Sequence, residues 1–197
     1  AEKLAGSGVF CNVTMSIQSA NPATLKAIKR RNLEQGQIDK LKEMFHDRYV
    51  PTYVEIIWGL PLETYQTFSQ GLNTILSNRL GDLFSIYLCQ MLENTELSSP
   101  ESRKKYQQET RLCRHTVSNR KFDWEDEDVE YEEFVVGTST LSTNDWSRGY
   151  VLGYFLMVLY NHRAAIFPFM YLKEEFEILP VDLLEFIIPC IRKDPDL

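Results

Sequence analysis

The sequence predicts an α/β fold in which a curved parallel sheet, or an open barrel, precedes a mainly helical C-terminal region. Two observations carry this prediction. Short β-rich segments alternate with amphipathic helical segments in the first half of the chain, as in βαβ units. Each β-rich segment also has one apolar and one polar face, whereas strands of a flat doubly wound sheet are apolar on both faces. A sheet with a polar concave side explains both observations.

The first half contains three predicted strands, which we place over residues 10–19, 53–60 and 83–92. Helices are predicted between them over residues 22–31, 37–48 and 62–77, the first with Asn21 as N-cap and Pro22 at its first position. Parallel strands joined by helices form right-handed crossovers, so we expect the three strands to be neighbours in one sheet.

The second half has a different pattern, and we predict a polar helix over residues 98–114, a short strand over 134–140 and helices over 146–160 and 181–191. This change divides the chain into predicted domains 1–97 and 98–197. The most apolar stretch, residues 149–172, is interrupted by polar residues and Pro168, so its pattern favours a buried helix over a membrane span.

The middle predicted strand illustrates the two faces. Val54, Ile56 and Trp58 alternate with Glu55, Ile57 and Gly59. A carboxylate in a buried strand costs several kcal/mol (~2–7 for an unpaired polar group) unless it is paired or solvated, so Glu55 predicts a wet face. In α/β folds of this kind ligands gather at the carboxyl ends of the strands.

Composition limits the classes of function. The formal net charge of −7 and a pI near 5.1 leave no broad basic surface, so nucleic acid is not an expected partner. The four cysteines are dispersed and form no CxxC pair, which is typical of a protein from a reducing cytoplasm. The acidic run at residues 123–133 is interpreted as a solvated loop in preference to a metal site, with protein docking as the alternative.

Two motifs carry a resemblance to a known family. They are SIQSANPATLKAIKRRN at residues 16–32 and EIIWGLPLET at residues 55–64, followed by YLCQMLENTEL at residues 87–97. Gly59 and Pro61 predict a tight strand-to-helix turn, with Glu63 and Thr64 in the first turn of the helix. At this spacing the chain resembles the radical S-adenosylmethionine (SAM) superfamily over about residues 9–97.

The resemblance implies a partial barrel of six βα units, of which this chain supplies strands four to six. In that family the end of strand four and an arginine of the next helix hold the ribose and carboxylate of SAM, while strands five and six line the adenine. Carried over by position, the implied SAM-binding residues are Ser16, Gln18, Arg30, Ile57, Gly59 and Tyr87.

The CxxxCxxC loop that binds the family's 4Fe–4S cluster is missing from this sequence, in which no two cysteines lie closer than 24 positions. The chain alone is therefore not expected to cleave SAM. The resemblance implies a fragment whose partner is the N-terminal half of the same polypeptide, which would bring the cluster and strands one to three. Exposed sheet edges also make a homodimer an open alternative.

The NTEL ending, the polar helix after it and the long C-terminal extension look most like cobalamin-binding radical SAM Fe–S oxidoreductases, many of them methyltransferases. In such enzymes SAM is cleaved reductively to a 5′-deoxyadenosyl radical or used for methyl transfer. Two alternatives stay open: an enzyme similar to the tRNA methylthiotransferases, and a non-catalytic scaffold or binding module that retains half a barrel.

Overall fold

A computed structural model describes residues 12–78, 80–114 and 130–193 of the chain. Its centre is a three-stranded parallel sheet in the order β1-β2-β3, with β1 at Val13–Gln18, β2 at Thr52–Trp58 and β3 at Leu83–Leu88. Helices α1 (Pro22–Ala27), α2 (Gln35–His46) and α3 (Tyr65–Ser77) connect the strands. The prediction of an α/β fold with three neighbouring parallel strands is confirmed.

The first helix begins where the sequence predicts and ends earlier. Asn21 is its N-cap, accepting a hydrogen bond from the Ala23 amide at 2.9 Å, and Pro22 opens the helix. The helix stops at Ala27, and Lys29 adopts a left-handed φ of 56°. Residues 28–30 are therefore outside the helix, although the sequence predicts helix to residue 31.

The third helix begins later than predicted. Thr64 is its N-cap, with a side chain that accepts from the Thr67 amide at 3.0 Å, and the helix starts at Tyr65. Glu63 thus precedes the helix, so the prediction that it occupies the first helical turn is wrong. Gly59 has a φ of 94°, which confirms the tight turn expected after the second strand.

The second half is mainly helical but includes an antiparallel ribbon. A 3₁₀ turn lies at Glu96–Ser98. The elements after it are α4 (Pro100–Tyr106), β4 (Glu109–Arg114), β5 (Tyr131–Gly137), α5 (Thr143–Asn161), α6 (Ile166–Phe176) and α7 (Pro180–Lys193). The predicted helix over 98–114 is wrong beyond Tyr106, because Gln107 turns left-handed and β4 pairs with β5.

Part of the acidic run belongs to this ribbon: Tyr131–Glu133 lies in β5 and is strand, not loop. Residues 123–129 lie outside the described residues.

One face of the sheet is buried against α3 and α5. Trp58 is fully buried, stacks on Phe68 with ring centroids 4.1 Å apart, and donates from its indole nitrogen to the Trp146 carbonyl at 3.0 Å. Leu152 and Leu156 of α5 lie in the same core. Residues from both sides of the predicted 97/98 boundary therefore share one core, and the boundary itself stays a prediction.

The outer edge of β3 is covered by α5. Asn161 accepts a hydrogen bond from the Phe84 amide at 3.1 Å and donates to the Phe84 carbonyl at 2.7 Å, as a neighbouring strand would. Met157 sulfur accepts from the Ile86 amide at 3.1 Å. Beyond β3 the chain pairs with β5 instead, since the Val135 amide donates to the Cys89 carbonyl at 2.9 Å.

In the part of the chain that the structure describes, no helix is long and apolar enough to cross a membrane.

Candidate functional site

A cavity of about 440 Å³ opens at the carboxyl ends of β1 and β2. One side, which we call the sheet wall, consists of Gln18, Ala27, Ile28, Lys29, Arg30, Ile57 and Leu60. The opposite side, the helix wall, consists of Glu96, Leu97, Ser99, Glu101, Ser102, Lys105 and Tyr106. The volume lies within the range of roughly 300–1,000 Å³ that is usual for small-molecule sites.

The sheet wall is formed where β1 and β2 end. Gln18 closes β1 with a left-handed φ of 65°, and the register between β1 and β2 shifts between Ser16 and Gln18. This irregularity ends the strand and is the kind of backbone feature that often lies beside binding sites. Beyond α1 the Arg30 amide donates to the Leu25 carbonyl at 2.8 Å, which fixes the loop that carries Arg30.

A buried carboxyl group ties the two motif segments together. Glu63 is 1% exposed and accepts hydrogen bonds from the hydroxyl groups of Ser19 and Thr67. Asn21 donates to the Leu62 carbonyl at 3.1 Å and lies 3.5 Å from the Glu63 carboxyl group. Buried polar groups need such partners, so Glu63 holds the segment after β1 against the segment after β2.

The helix wall is held by an ion pair. Arg103 of α4 donates two hydrogen bonds to the Glu133 carboxylate of β5, at 2.7 and 2.6 Å, and Thr110 donates a third at 2.5 Å. The Arg103 guanidinium, followed by the Thr110 hydroxyl, lowers the pKa of Glu133 to about 2. A bidentate pair of this kind fixes both distance and orientation.

The lining combines apolar surface with both signs of charge. Ile57, Leu60 and Leu97 supply apolar contact, while Arg30 and Lys105 are cationic and Glu101 is anionic. At the exposed mouth Lys29 and Glu96 form a 2.7 Å ion pair between the two walls. Such a lining suits a ligand that has a flat apolar part together with a carboxylate and a cationic group.

Three of the six residues implied by the resemblance, Gln18, Arg30 and Ile57, line the cavity together. Gly59 lies in the turn after β2 and does not line the cavity, and a Cβ at this position would meet the Val135 carbonyl at 3.2 Å. Ser16 and Tyr87 lie outside the cavity, on the polar face of the sheet.

That polar face has its own hydrogen bonds. Ser16 donates to Glu55 at 2.9 Å, and the hydroxyl groups of Tyr53 and Tyr87 lie 2.8 Å apart. The hydrogen bond with Tyr53, followed by burial, raises the pKa of Tyr87 to about 12. Glu55 is half-buried, which agrees with the expectation of a paired or solvated carboxylate.

The sequence did not identify the helix wall. The sequence places its residues from Ser99 onwards in a long polar helix without a functional role, while Glu96 and Leu97 belong to the 87–97 segment of the family resemblance, which implies no site residue among them. The Ser99-Pro100 start of α4 was the available signal, since Ser99 caps the helix at the point where the chain reaches the cavity.

No group of three or more His, Cys, Asp or Glu side chains within the described residues is arranged to hold a metal ion. Cys89 is buried, and burial raises the pKa of its thiol to about 12. The described part of the chain does not fit a 4Fe–4S cluster.

The described residues define an α/β protein that has a cavity with charged and apolar lining at the carboxyl ends of its parallel strands. Comparison with known proteins narrows the class. The chain is 27% identical over 170 residues to the cobalamin-dependent radical SAM methyltransferase TokK of Streptomyces tokunonensis, and 27% identical over 174 residues to 2-(S-pantetheinyl)-carbapenam-3-carboxylate methyltransferase of Streptantibioticus cattleyicolor. These similarities confirm the resemblance to the radical SAM superfamily that the two motifs indicate.

Each match covers 86% of this chain and 25% of the relative, so the chain spans about a quarter of the length of these curated relatives. No family model matches the chain.

Among solved structures, archaeal Elp3 of Methanocaldococcus infernus is similar with a TM-score of 0.43 and 24% identity, over 53% of this chain and 24% of that chain. The radical SAM enzyme coproporphyrinogen III oxidase (HemN) of Escherichia coli gives a TM-score of 0.36 and 22% identity, over 43% and 19% of the two chains.

Proposed function

We propose that this chain is the SAM-binding C-terminal part of a cobalamin-dependent radical SAM methyltransferase. One observation carries the proposal: the cavity brings together Gln18 and Arg30 from the first motif and Ile57 from the second, although the motif segments are separated in sequence. The two curated relatives, one a cobalamin-dependent radical SAM methyltransferase and the other a carbapenam methyltransferase, support the same class of reaction.

The residues of the cavity fit the chemical groups of SAM. A guanidinium such as that of Arg30 pairs with a carboxylate, and the amide of Gln18 suits the ribose hydroxyl groups. Ile57, Leu60 and Leu97 offer apolar contact for adenine. Glu101 of the helix wall is an acceptor for the amino group or a counter-charge for the sulfonium.

When bound, SAM would supply a methyl group or a deoxyadenosyl group to the reaction. Within this chain Arg30 and Gln18 would orient the cofactor, and Leu60 and Leu97 would exclude water from its adenine side. We assign the 4Fe–4S cluster and cobalamin to the remainder of a longer polypeptide, and we assign no described residue of this chain to either.

The arrangement of that longer protein is part of the same proposal. The three parallel strands would be strands four to six of a partial barrel, completed by the N-terminal half of the same polypeptide in a cytoplasmic enzyme. A second copy pairing at an exposed sheet edge is the alternative, and the mass of the full-length protein in solution distinguishes the two arrangements.

The proposal is tested by measuring the affinity of the chain for SAM by equilibrium dialysis. We expect Arg30→Ala to weaken binding by roughly tenfold, the effect of losing one charge-assisted hydrogen bond. Arg148→Ala is the matched control, because Arg148 lies at α5 beside Tyr65 and away from the cavity. Absence of SAM binding by the unaltered chain, or equal losses in the two variants, would reject the proposal.

A further inference from the structure

Glu133 occupies a junction that joins three segments of the chain. Its carboxylate accepts from Arg103 of α4 and from Thr110 of β4, while its backbone carbonyl accepts from the Met91 amide at 2.8 Å. Met91 lies on the segment that leaves β3 and continues to the helix wall. Glu133, which does not line the cavity, thus contacts the segment before the helix wall, the helix α4 within it and the strand β4 after it.

The helix wall needs such an anchor because α4 has only seven residues. A helix of this length is marginal by itself, since isolated helices shorter than about 12 residues do not persist in water. Besides the Arg103 pair, α4 is held by the buried side chains of Ser102 and Tyr106 and by the Ser139 amide, which donates to the Tyr106 carbonyl at 2.8 Å. Arg103 anchors the middle of the helix and also donates to the Ser98 carbonyl at 3.1 Å, at the start of the wall.

We propose that Arg103 and Glu133 are positioning residues that hold the helix wall at the distance from the sheet wall required for ligand binding. The bidentate geometry is central to this role, because two parallel hydrogen bonds fix the orientation of α4 as well as its separation from β5. Neither residue lines the cavity, so each acts through Ser102, Lys105 and Tyr106. The expected effect of these two residues on SAM affinity rests on the proposed function.

The test combines hydrogen exchange of the α4 amides with SAM affinity in the same variants. Glu133→Gln removes the ion pair, and Glu130→Gln removes the same charge from an exposed position just before β5. We expect Glu133→Gln to raise α4 exchange and to weaken SAM binding by about tenfold each, while exchange in α3 and α5 stays unchanged. Glu130→Gln should change neither quantity.

Two further variants separate positioning from general stabilisation. Arg103→Lys keeps the positive charge but cannot make the two parallel hydrogen bonds of a guanidinium, so we expect a partial loss of SAM affinity. The double variant Arg103→Glu with Glu133→Arg exchanges the two charges, and it should partly restore both the slow hydrogen exchange of α4 and the SAM affinity. If Glu133→Gln leaves α4 exchange unchanged, or if the exchanged pair is as impaired as the single variant, the positioning role is wrong. If the unaltered chain binds no SAM, the proposed function fails, while the exchange data still decide whether the pair holds α4.

Discussion

The two walls of the cavity are held by different chemistry. The sheet wall depends on Glu63, which is buried and receives its hydrogen bonds from neutral side chains, and the strands beneath it pack on a shared core. The helix wall depends on the Arg103–Glu133 ion pair, whose side chains are 36% and 26% exposed. Buried networks fail as a unit, whereas partly exposed pairs open locally. We therefore expect the sheet wall to be rigid and the helix wall to be the adjustable side.

The largest expected effect is the loss of the Glu63 carboxyl group. Glu63→Ala would leave the Ser19 hydroxyl group without its acceptor, would remove one of the two acceptors of the Thr67 hydroxyl group, and would open a void between the two motif segments. We expect the free energy of unfolding to fall by about 3 kcal/mol, measured by urea denaturation. Glu93→Ala, at an exposed turn position, is the control and should change it by less than about 0.5 kcal/mol. Equal effects of the two variants would remove the basis for calling the sheet wall rigid.

The core beneath the sheet wall is tested next with a glycine of α5. A Cβ at Gly149 would collide with the indole ring of Trp58, which is fully buried. We expect Gly149→Ala to reduce stability by about 2 kcal/mol because the core has no room to adjust. Gly36→Ala in α2 is the control, and we expect it to increase stability. No atom lies within 4 Å of a Cβ at Gly36, and alanine favours a helix over glycine by up to about 1 kcal/mol. A neutral Gly149→Ala would show that α5 sits loosely on the sheet.

A smaller effect is expected at the covered edge of β3. Asn161→Ala would leave the amide and carbonyl of Phe84 without their side-chain partner. We expect a loss of about 1.5 kcal/mol in thermal or urea unfolding. Asn161→Asp keeps the acceptor for the Phe84 amide but sets a carboxylate oxygen against the Phe84 carbonyl, so its loss at neutral pH should be at least as large. An Asp variant more stable than the Ala variant at neutral pH would contradict these roles of Asn161.

The smallest effect concerns the helix wall and depends on pH. Because the pKa of Glu133 falls from its ordinary value of 4.5 to about 2 in the folded protein, the ion pair stabilises the fold above pH 4.5. That contribution is lost as the pH falls from 4.5 towards 2. Glu133→Gln should lack this component, so the stability difference between the unaltered chain and the variant should shrink across this range. A difference that stays constant with pH would exclude ionisation of Glu133 as its source.

Much of the sheet side was predictable because its signals are local. Alternation of apolar residues placed the three strands, and Asn21 with Pro22 marked the start of α1. The motif resemblance indicated Gln18, Arg30 and Ile57, which the fold brings to one cavity. The role of Glu63 was misjudged, because its burial depends on Ser19, which is 44 positions away.

The helix side was not predictable from local pattern. The residues of β4 continue the polar character of α4, so the local pattern over 98–114 is compatible with one helix. Only the pairing of β4 with β5 shows that the second part is a strand. The left-handed Gln107 ends α4, and pairing with a strand more than 15 positions later then determines the structure of β4. The same pairing places Glu133 against Arg103, which is why the ion pair could not be inferred from spacing.

Binding of SAM between the two walls can be observed directly by mapping amide chemical shifts of the isotope-labelled chain during titration with SAM. We expect shifts at Gln18, Arg30 and Ile57 of the sheet wall together with Leu97 and Ser102 of the helix wall. Shifts confined to other regions, such as the groove near Tyr65 and Arg148, or none at saturating SAM, would contradict it.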